Sequence, residues 1–540
     1  MKMVERVETT ARQYPGNVSY QFMGKKTTYD AFVKQIDTAA RALTALGIAE
    51  NDVVSIAMPN MPQAIILLYA ANKIGAVVNM IHPLSSENEY LDFLTRVQAK
   101  AVLVLDQFYP VIEKIRSQTV LQTVIVAGVA EVLGPLKKAG YLLTQGKKYR
   151  YLKKENKILR WNRFMQLSAD CVSLPVVSDR SNETALILHS GGTTGKSKGV
   201  CLSNESVNIS AKQMIDANPL HENTDRFLSV MPIFHGNGLV IGIHAMQMIG
   251  ARCVLIPRFT PESYAKDLLK HKCNYMSGVP ILYEKLIAVD VMQKADLSFL
   301  KGVFCGADYL SAELEQKINA FLTAHHSPVP VRQGYGMTEG VVCTTVNPAN
   351  EQRIGSIGKP MEGVDVKIVE PGTERELAAG EIGEIVFSAA TNMLGYYNDP
   401  EETAQTLRKH ADGQYWVHSG DLGSMDEDGY FYFKGRTKRM LTINGYNVFP
   451  NELENVIDRL DMVERSCVVG VQHTEGAQRV KAFVVLKKGY DKTEEMKREI
   501  VEQCRPFIAK YALPKEIEFI DEMPKTKVGK IDVNALLAGK

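Results

Sequence analysis

A chain of 540 residues is well beyond the size at which a single hydrophobic core stops growing, so several domains of roughly 150 residues are expected. Apolar residues at 45% and charged residues at 23% exclude a mainly disordered or collagen-like chain. Sixty-three basic against 61 acidic side chains, a net charge of +2, give no overall case for nucleic acid binding.

From the N-terminus, Met1 to Tyr20 lacks an apolar h-region, and the run Ala64 to Ala71 is far short of the roughly 18 residues of a span. Neither a signal peptide nor a transmembrane helix is expected. Val53 to Met58, a helix over Gln63 to Lys73, Ala76 to Ile81 and Ala101 to Leu105 then alternate in the rhythm of a parallel α/β sheet. Between Lys137 and Arg163 ten Lys or Arg meet one acid, Glu155, a net +9 that leaves the rest of the chain at −7. Tyr149, Tyr151, Leu152, Leu159 and Trp161 interleave with this charge, as in basic amphipathic segments at anionic lipid surfaces. A solvated surface insertion is the plainer reading.

The α/β rhythm resumes with Ala185 to Leu188, Arg226 to Val230, Arg252 to Ile256 and Lys301 to Cys305, and Thr260-Pro261 opens a helix with a cap followed by proline. Val364 to Phe387 reads as paired short strands turning at Glu370-Pro371-Gly372 and Gly380-Glu381. After the charged connector Lys434 to Lys438 come a helix over Asn451 to Leu460, strands Cys467 to Val471 and Lys481 to Leu486, a helix over Glu494 to Lys510 and a strand Glu516 to Ile520. Eight cysteines without a C-x-x-C pair point to neither a zinc site nor a disulfide framework, and suit a reduced cytoplasmic compartment.

Chemistry enters where the strand Ala185 to Leu188 runs into His189-Ser190-Gly191-Gly192-Thr193-Thr194-Gly195-Lys196-Ser197-Lys198-Gly199. Glycines let backbone N–H groups close on phosphate oxygens, hydroxyls add donors and lysines supply charge. The G-x-x-x-x-G-K-[ST] loop of P-loop kinases and GTPases is excluded, because Ser190 stands where it needs glycine.

This loop resembles that of the AMP-forming adenylating enzymes, which include acyl-CoA synthetases, luciferase and peptide-synthetase adenylation domains. Their form [ST]-[SG]-G-[ST]-T-[GS]-x-P-K-G is matched from Ser190 to Gly199, with Ser197 in place of proline. Met231-Pro232-Ile233-Phe234-His235-Gly236, Gln333-Gly334-Tyr335-Gly336-Met337-Thr338-Glu339, Ser419-Gly420-Asp421-Leu422-Gly423, Gly435-Arg436-Thr437-Lys438 and Pro524-Lys525-Thr526-Lys527-Val528-Gly529-Lys530 follow in the family's order. The resemblance is strongest to bacterial fatty acyl-CoA synthetases. It implies an α/β and β fold, with a large N-terminal domain over 1–437 and a small mobile α+β lid over 438–540. The large domain would comprise two stacked α/β sheets, about 1–180 and 181–360, and an antiparallel β subdomain, about 361–437.

The implied chemistry has two halves: a carboxylate attacks the α-phosphate of ATP to give acyl-AMP and pyrophosphate, then a thiol displaces AMP. By resemblance, Lys530 bridges the two anions of the first half, Glu339 holds Mg²⁺ with help from Thr193, and Thr338 and His235 complete the catalytic set. Ser190, Gly191, Gly192, Thr193, Thr194, Gly195 and Lys198 would cradle phosphate. Gly306, Ala307 and Asp308 would line adenine opposite Tyr335, within Gln333, Gly334, Tyr335, Gly336 and Met337. Asp421 and Arg436 would hold ribose, and Lys438 would be the hinge. Asn444, Gly445, Tyr446 and Gly470 resemble coenzyme A contacts, which favours CoA over a carrier-protein thiol, since no carrier segment follows in the sequence. The acyl pocket would use Gly236, Asn237, Gly238, Gly278, Val279, Pro280 and Val341, whose glycines leave room for a long chain. That pocket offers no acid to an amino group, so an amino acid is disfavoured. A fatty acid is the leading substrate, and an aryl acid such as coumarate or succinylbenzoate stays open. Cytoplasmic residence, with peripheral contact at the inner membrane surface through 137–163, completes the expectation.

Overall fold

The computed structural model describes residues 1–144, 158–190, 197–218, 221–443, 446–472, 478–526 and 531–539. The chain divides into two compact units, Met1–Asp365 with Phe387–Val417, and Val366–Val386 with His418–Lys540.

The larger unit carries two sheets. Among the described residues the first has eight strands, in the order Gly395–Tyr396, Lys198–Ser203, Thr184–Ser190, Val77–Met80, Val53–Ala57, Ala101–Leu105, Thr123–Ala127 and Ile158–Arg160. The second has nine: Lys359–Pro360, Thr345–Val346, Val331–Tyr335, Gly302–Cys305, Tyr275–Gly278, Arg226–Ser229, Arg252–Leu255, Val18–Phe22 and Lys25–Thr28. Sheet membership therefore departs from chain order. Val18–Phe22 joins the second sheet in parallel with Arg252–Leu255, while Thr184–Ser190 pairs with Val77–Met80 in the first. The central strands Val53–Ala57, Ala101–Leu105 and Thr123–Ala127 are buried at every position, as parallel strands covered on both faces must be. Helix Pro62–Lys73 is buried from Pro62 through Asn72, so its apolar run is a core helix. No helix among the described residues is long and apolar enough to cross a membrane.

The basic segment is partly built into this fold. Ile158–Arg160 is the edge strand beside Thr123–Ala127, and Arg160 approaches Asp106 at 3.9 Å. Trp161 is buried, its ring 5.4 Å from that of Phe164. This corrects the expectation that Trp161 is offered to a lipid surface: the aromatic serves the core. Residues 145–157, with most of the charge, lie outside the described residues.

In the smaller unit Val463–Gln472 pairs antiparallel with Gln478–Leu486, which pairs in parallel with Glu516–Phe519. Alternation assigns Cys467, Val469, Phe483 and Val485 to one core cluster, and Val468, Ala482 and Val484 to another with Leu453, Ile457 and Ile500. Helix Glu494–Cys504 stops short of the expected Lys510. Pro506 explains this, because it has no N–H to donate to the Glu502 carbonyl one turn back and its ring crowds that carbonyl.

Candidate active site

In the larger unit, Arg226–Ser229, Tyr275–Gly278, Gly302–Cys305 and Val331–Tyr335 are adjacent and parallel, so the residues that follow them emerge along one sheet edge. Ligand sites of such sheets lie beyond these carboxyl ends. The Gly306 N–H donates to the Gly278 carbonyl at 3.3 Å, and a Cβ on Gly306 would fall 2.8 Å from the Gly334 oxygen. Three predicted site glycines thus converge, with Tyr335 beside them, and Ala307 (φ 65°) and Asp308 continue outward as exposed residues.

The loop carrying His235 is pinned from below by Asn60, which is buried. Its amide donates to the carbonyls of Ser229 and Met231, each at 2.9 Å, and its oxygen accepts from the Ile233 N–H at 2.8 Å. The Ser277 hydroxyl donates to the Asn237 amide oxygen at 3.1 Å, joining two of the predicted acyl-pocket segments. Val341 closes onto the same place: a Cβ on Gly236 would sit 2.4 Å from its carbonyl oxygen. Val279 and Pro280 open the helix Pro280–Leu286.

The reason given for those glycines is corrected here. A Cβ on Gly238 would lie 2.1 Å from the Pro232 oxygen and 2.3 Å from the Met231 oxygen, and one on Gly278 would meet Leu282 and Tyr283 at 2.9 and 3.0 Å. The space freed by each missing side chain is already filled by protein, so these glycines serve close backbone approach and not acyl room. Val341 carries the local strain: φ 70° and ψ −61°, with the Val342 N–H on the Gly340 carbonyl at 3.0 Å, form a γ-turn of the rare kind, in a β-branched and fully buried residue.

Glu339 sits in the short turn Thr338–Gly340 and is 5% exposed. The Tyr396 hydroxyl donates to its carboxylate at 2.8 Å, and its backbone oxygen accepts from the Met393 N–H at 2.7 Å. Burial, with Glu339 beside it, pushes the Tyr396 phenol far up, so it remains a neutral donor. The Lys198 ammonium lies 4.8 Å from the centre of the Tyr396 ring and is ion-paired with Glu402. The two ends of the phosphate loop meet, the Ser197 hydroxyl donating to the Ser190 carbonyl at 2.8 Å. Between them Gly191, Gly192, Thr193, Thr194 and Gly195 lie outside the described residues. Just before the loop, burial and then Arg96 push His189 down to about 4; the neutral ring donates through Nε2 to Asn79 at 2.7 Å.

A buried carboxylate steadied by a hydroxyl suits a hard cation such as Mg²⁺, which takes one or two protein carboxylates and otherwise oxygens of phosphate and water. Glu339 fits that role. Among the described residues no cluster of three His, Cys, Asp or Glu offers a complete protein cage, so substrate oxygens would have to complete the shell.

In the smaller unit Asp421 and Arg436 are cross-strand partners, with Arg436 Nε 3.1 Å from the carboxylate. Asp421 is held by a turn whose Gly420 N–H donates to Glu384 at 2.9 Å, while the other Glu384 oxygen meets His418 Nδ1 at 3.0 Å. Burial raises the Glu384 carboxyl, but hydrogen bonds from His418 and Gly420 outweigh it and hold the group below the usual range. Lys438 is exposed in the turn Thr437–Arg439, between the Asp421–Arg436 pair and an Arg439–Glu454 ion pair at 2.6 Å. Tyr446 pairs with Ile443 in a hairpin, and Gly470 pairs with Val480. Asn444, Gly445 and Lys530 lie outside the described residues.

With this geometry in place, comparison with known proteins is decisive for kinship. The model of the AMP-binding enzyme family matches residues 7–397, and that of the AMP-binding enzyme C-terminal domain matches 452–530. The chain belongs to the AMP-binding enzyme family. It is 31% identical to a long-chain-fatty-acid–CoA ligase of Bacillus subtilis, over 97% of this chain and 91% of that one. It is 30% identical to a probable 4-coumarate–CoA ligase of Dictyostelium discoideum, over 92% and 87%. The ATP-bound structure of MatB from Rhodopseudomonas palustris superposes with a TM-score of 0.85 at 24% identity, covering 100% and 99% of the two chains, which establishes the shared fold.

Sequence reasoning missed several residues of this AMP-binding enzyme: Asn60, Asn79, Glu384, Tyr396 and Glu402. Each acts on a motif residue from a distant segment, and none carries a spacing that marks it. Only Gly395-Tyr396 and Asp399-Pro400, a turn opening a helix, gave a local signal, and it was a turn signal.

Proposed function

We propose that this enzyme is an ATP-dependent acid–CoA ligase that activates a medium- or long-chain fatty acid as acyl-AMP, releases pyrophosphate and transfers the acyl group to CoA. The observation that carries the reading is the buried carboxylate of Glu339, in the turn that follows the strand ending at Tyr335, joined through Tyr396 to the phosphate-loop lysine Lys198. Glu339, with Thr193, would hold Mg²⁺, which supplies charge neutralisation at the triphosphate. Lys198 and the loop from Ser190 would orient phosphate, Tyr335 with Gly306 to Asp308 would seat adenine, and Asp421 would accept from the ribose hydroxyls with Arg436 alongside. Lys530 would neutralise the attacking carboxylate and the α-phosphate during adenylation. Turning about Lys438 would then exchange Lys530 for the loop Asn444 to Tyr446, which with Gly470 would admit the thiol.

The fatty acid substrate is supported by the B. subtilis relative and by the absence of an acid among the pocket residues. The aryl-acid reading is supported by the D. discoideum relative. A pyrophosphate-release screen over acetate, medium and long fatty acids, coumarate, succinylbenzoate and amino acids, each with ATP and CoA, separates them. The reading requires the highest kcat/KM with a fatty acid of eight or more carbons, roughly, and AMP as the nucleotide product. Highest turnover with an aryl acid would transfer the assignment, and ADP with orthophosphate would refute adenylation.

A further inference from the structure

We propose that Tyr396 is a positioning residue that sets the Glu339 carboxylate and the Lys198 ammonium relative to one another, so that the metal ligand and the phosphate-loop lysine reach the triphosphate together. The inference rests on the assignment of Glu339 to Mg²⁺ and goes beyond it. Tyr396 belongs to a two-residue strand at the edge of the eight-stranded sheet, paired through Gly395 with Cys201 and through its own backbone with Val200. Lys198 starts the strand on which Val200 and Cys201 lie, so both side chains issue from one ladder. From there the hydroxyl reaches the Glu339 carboxylate at 2.8 Å, while the ring face lies 4.8 Å from the Lys198 nitrogen.

Each contact has a physical consequence. A buried hydroxyl donating to one carboxylate oxygen fixes the rotation of that group and leaves the second oxygen's direction defined, which a cation with strict octahedral demands rewards. A ring face under an ammonium confines a long, rotamer-rich side chain without neutralising it. The Glu402 carboxylate holds Lys198 from the other side, through the helix Pro400–Thr406 that follows the same turn. Gly395, at φ 140° with Thr403 atoms 2.9 Å from where a Cβ would sit, locks the turn against that helix. Tyr396 is therefore placed by backbone pairing on one side and by helix packing on the other. A residue so placed acts on the reaction through Glu339 and Lys198, without itself touching substrate.

The test is Tyr396→Phe, which keeps the ring and removes only the hydroxyl, beside Glu339→Gln and the double variant. In pyrophosphate exchange, Tyr396→Phe is expected to raise the half-saturating Mg²⁺ concentration roughly fivefold to tenfold, with a smaller fall in kcat at saturating Mg²⁺. Mn²⁺ bound with ATP, followed by electron paramagnetic resonance, should weaken by a similar factor. The double variant should be no worse than Glu339→Gln alone, since a residue acting through another is not additive with it. Additive losses, or unchanged Mg²⁺ and Mn²⁺ dependence in a folded Tyr396→Phe, would overturn the proposal. Wild-type Mn²⁺ binding in Glu339→Gln would instead remove the metal assignment beneath it, a separate failure. Should the Phe variant not fold, 3-fluorotyrosine at 396 keeps the native shape. Its ¹⁹F resonance should move when Mg²⁺ joins ATP in the wild type and stay still in Glu339→Gln; movement in both, or in neither, would count against Tyr396.

Discussion

At the scale of single residues, the glycines of the acyl segment are packing devices. Gly238→Ala would drive a Cβ into the Pro232 and Met231 carbonyls, backbone atoms that cannot rotate away. We expect a loss of about 3 kcal/mol in denaturant unfolding, the upper end of ordinary overpacking. Gly140→Ala, at a helical position with nothing within 4 Å, should be neutral or stabilising by up to about 1 kcal/mol. Equal effects of the two would mean that the loop holding Gly238 yields easily. Lys530→Ala tests a different residue property, charge supplied to one step: adenylation should fall by on the order of 10² to 10³. Thioester formation from supplied acyl-AMP should persist, and single-turnover rates that fall equally in both halves would take Lys530 out of the first step.

At the scale of elements, the helix Pro450–Asp458 ends on a half-buried carboxyl 3.5 Å from the Arg465 guanidinium. Burial pushes Asp458 up to about 7, against a hydrogen bond from Ser466 and the charge of Arg465, with Glu454 adding to the rise. The folded form therefore keeps a proton that the unfolded chain gives up near the ordinary carboxylate range. The contribution of Asp458 to stability should fall as pH rises from about 4 to about 7 and level off above. Asp458→Asn should remove this slope and raise the thermal midpoint at pH 8 by on the order of 2 to 4 °C, with no gain at pH 4. An unchanged slope would place the proton elsewhere. The turn Thr437–Arg439 makes a second prediction, because Lys438 is exposed between two anchored arginines. Lys438→Pro fixes φ near −65° and removes an N–H. Pyrophosphate exchange should survive it better than thioester formation, and equal loss in a folded protein would move the pivot.

For the whole molecule, the question is where an enzyme of poorly soluble acids resides. Lys147, Lys148, Arg150, Lys153 and Lys154 form the densest part of the basic stretch. Each contributes about 1 kcal/mol near anionic lipid, within a Debye length. Sedimentation with anionic vesicles should occur at low salt, weaken as salt rises, and drop when these five become glutamine. Trp161→Ala should instead lower the melting temperature, as its burial demands, and leave vesicle binding to the charges. Equal binding to neutral and anionic vesicles would leave the stretch a solvated insertion.

Local pattern was enough for many of the strands and helices of both units and for the order of the motifs, because periodicity, caps and glycine-rich loops act over a few residues. Helix Pro261–His271 begins with the Thr260 cap and first-turn proline legible in its sequence, and the strands near 53, 101, 302 and 467 lie where β-branched runs put them. Asp421 and Arg436, fifteen positions apart, are read only as two ribose contacts by resemblance, and their cross-strand pairing comes from the structure. Tertiary structure alone decided which sheet takes Val18–Phe22, because strand partners are chosen by burial across the whole chain. It alone turned Trp161 inward, filled the space beside Gly238, and brought Tyr396 onto Glu339 across 57 positions. Such contacts are made by backbone paths that return from far away, and no window of sequence contains both partners.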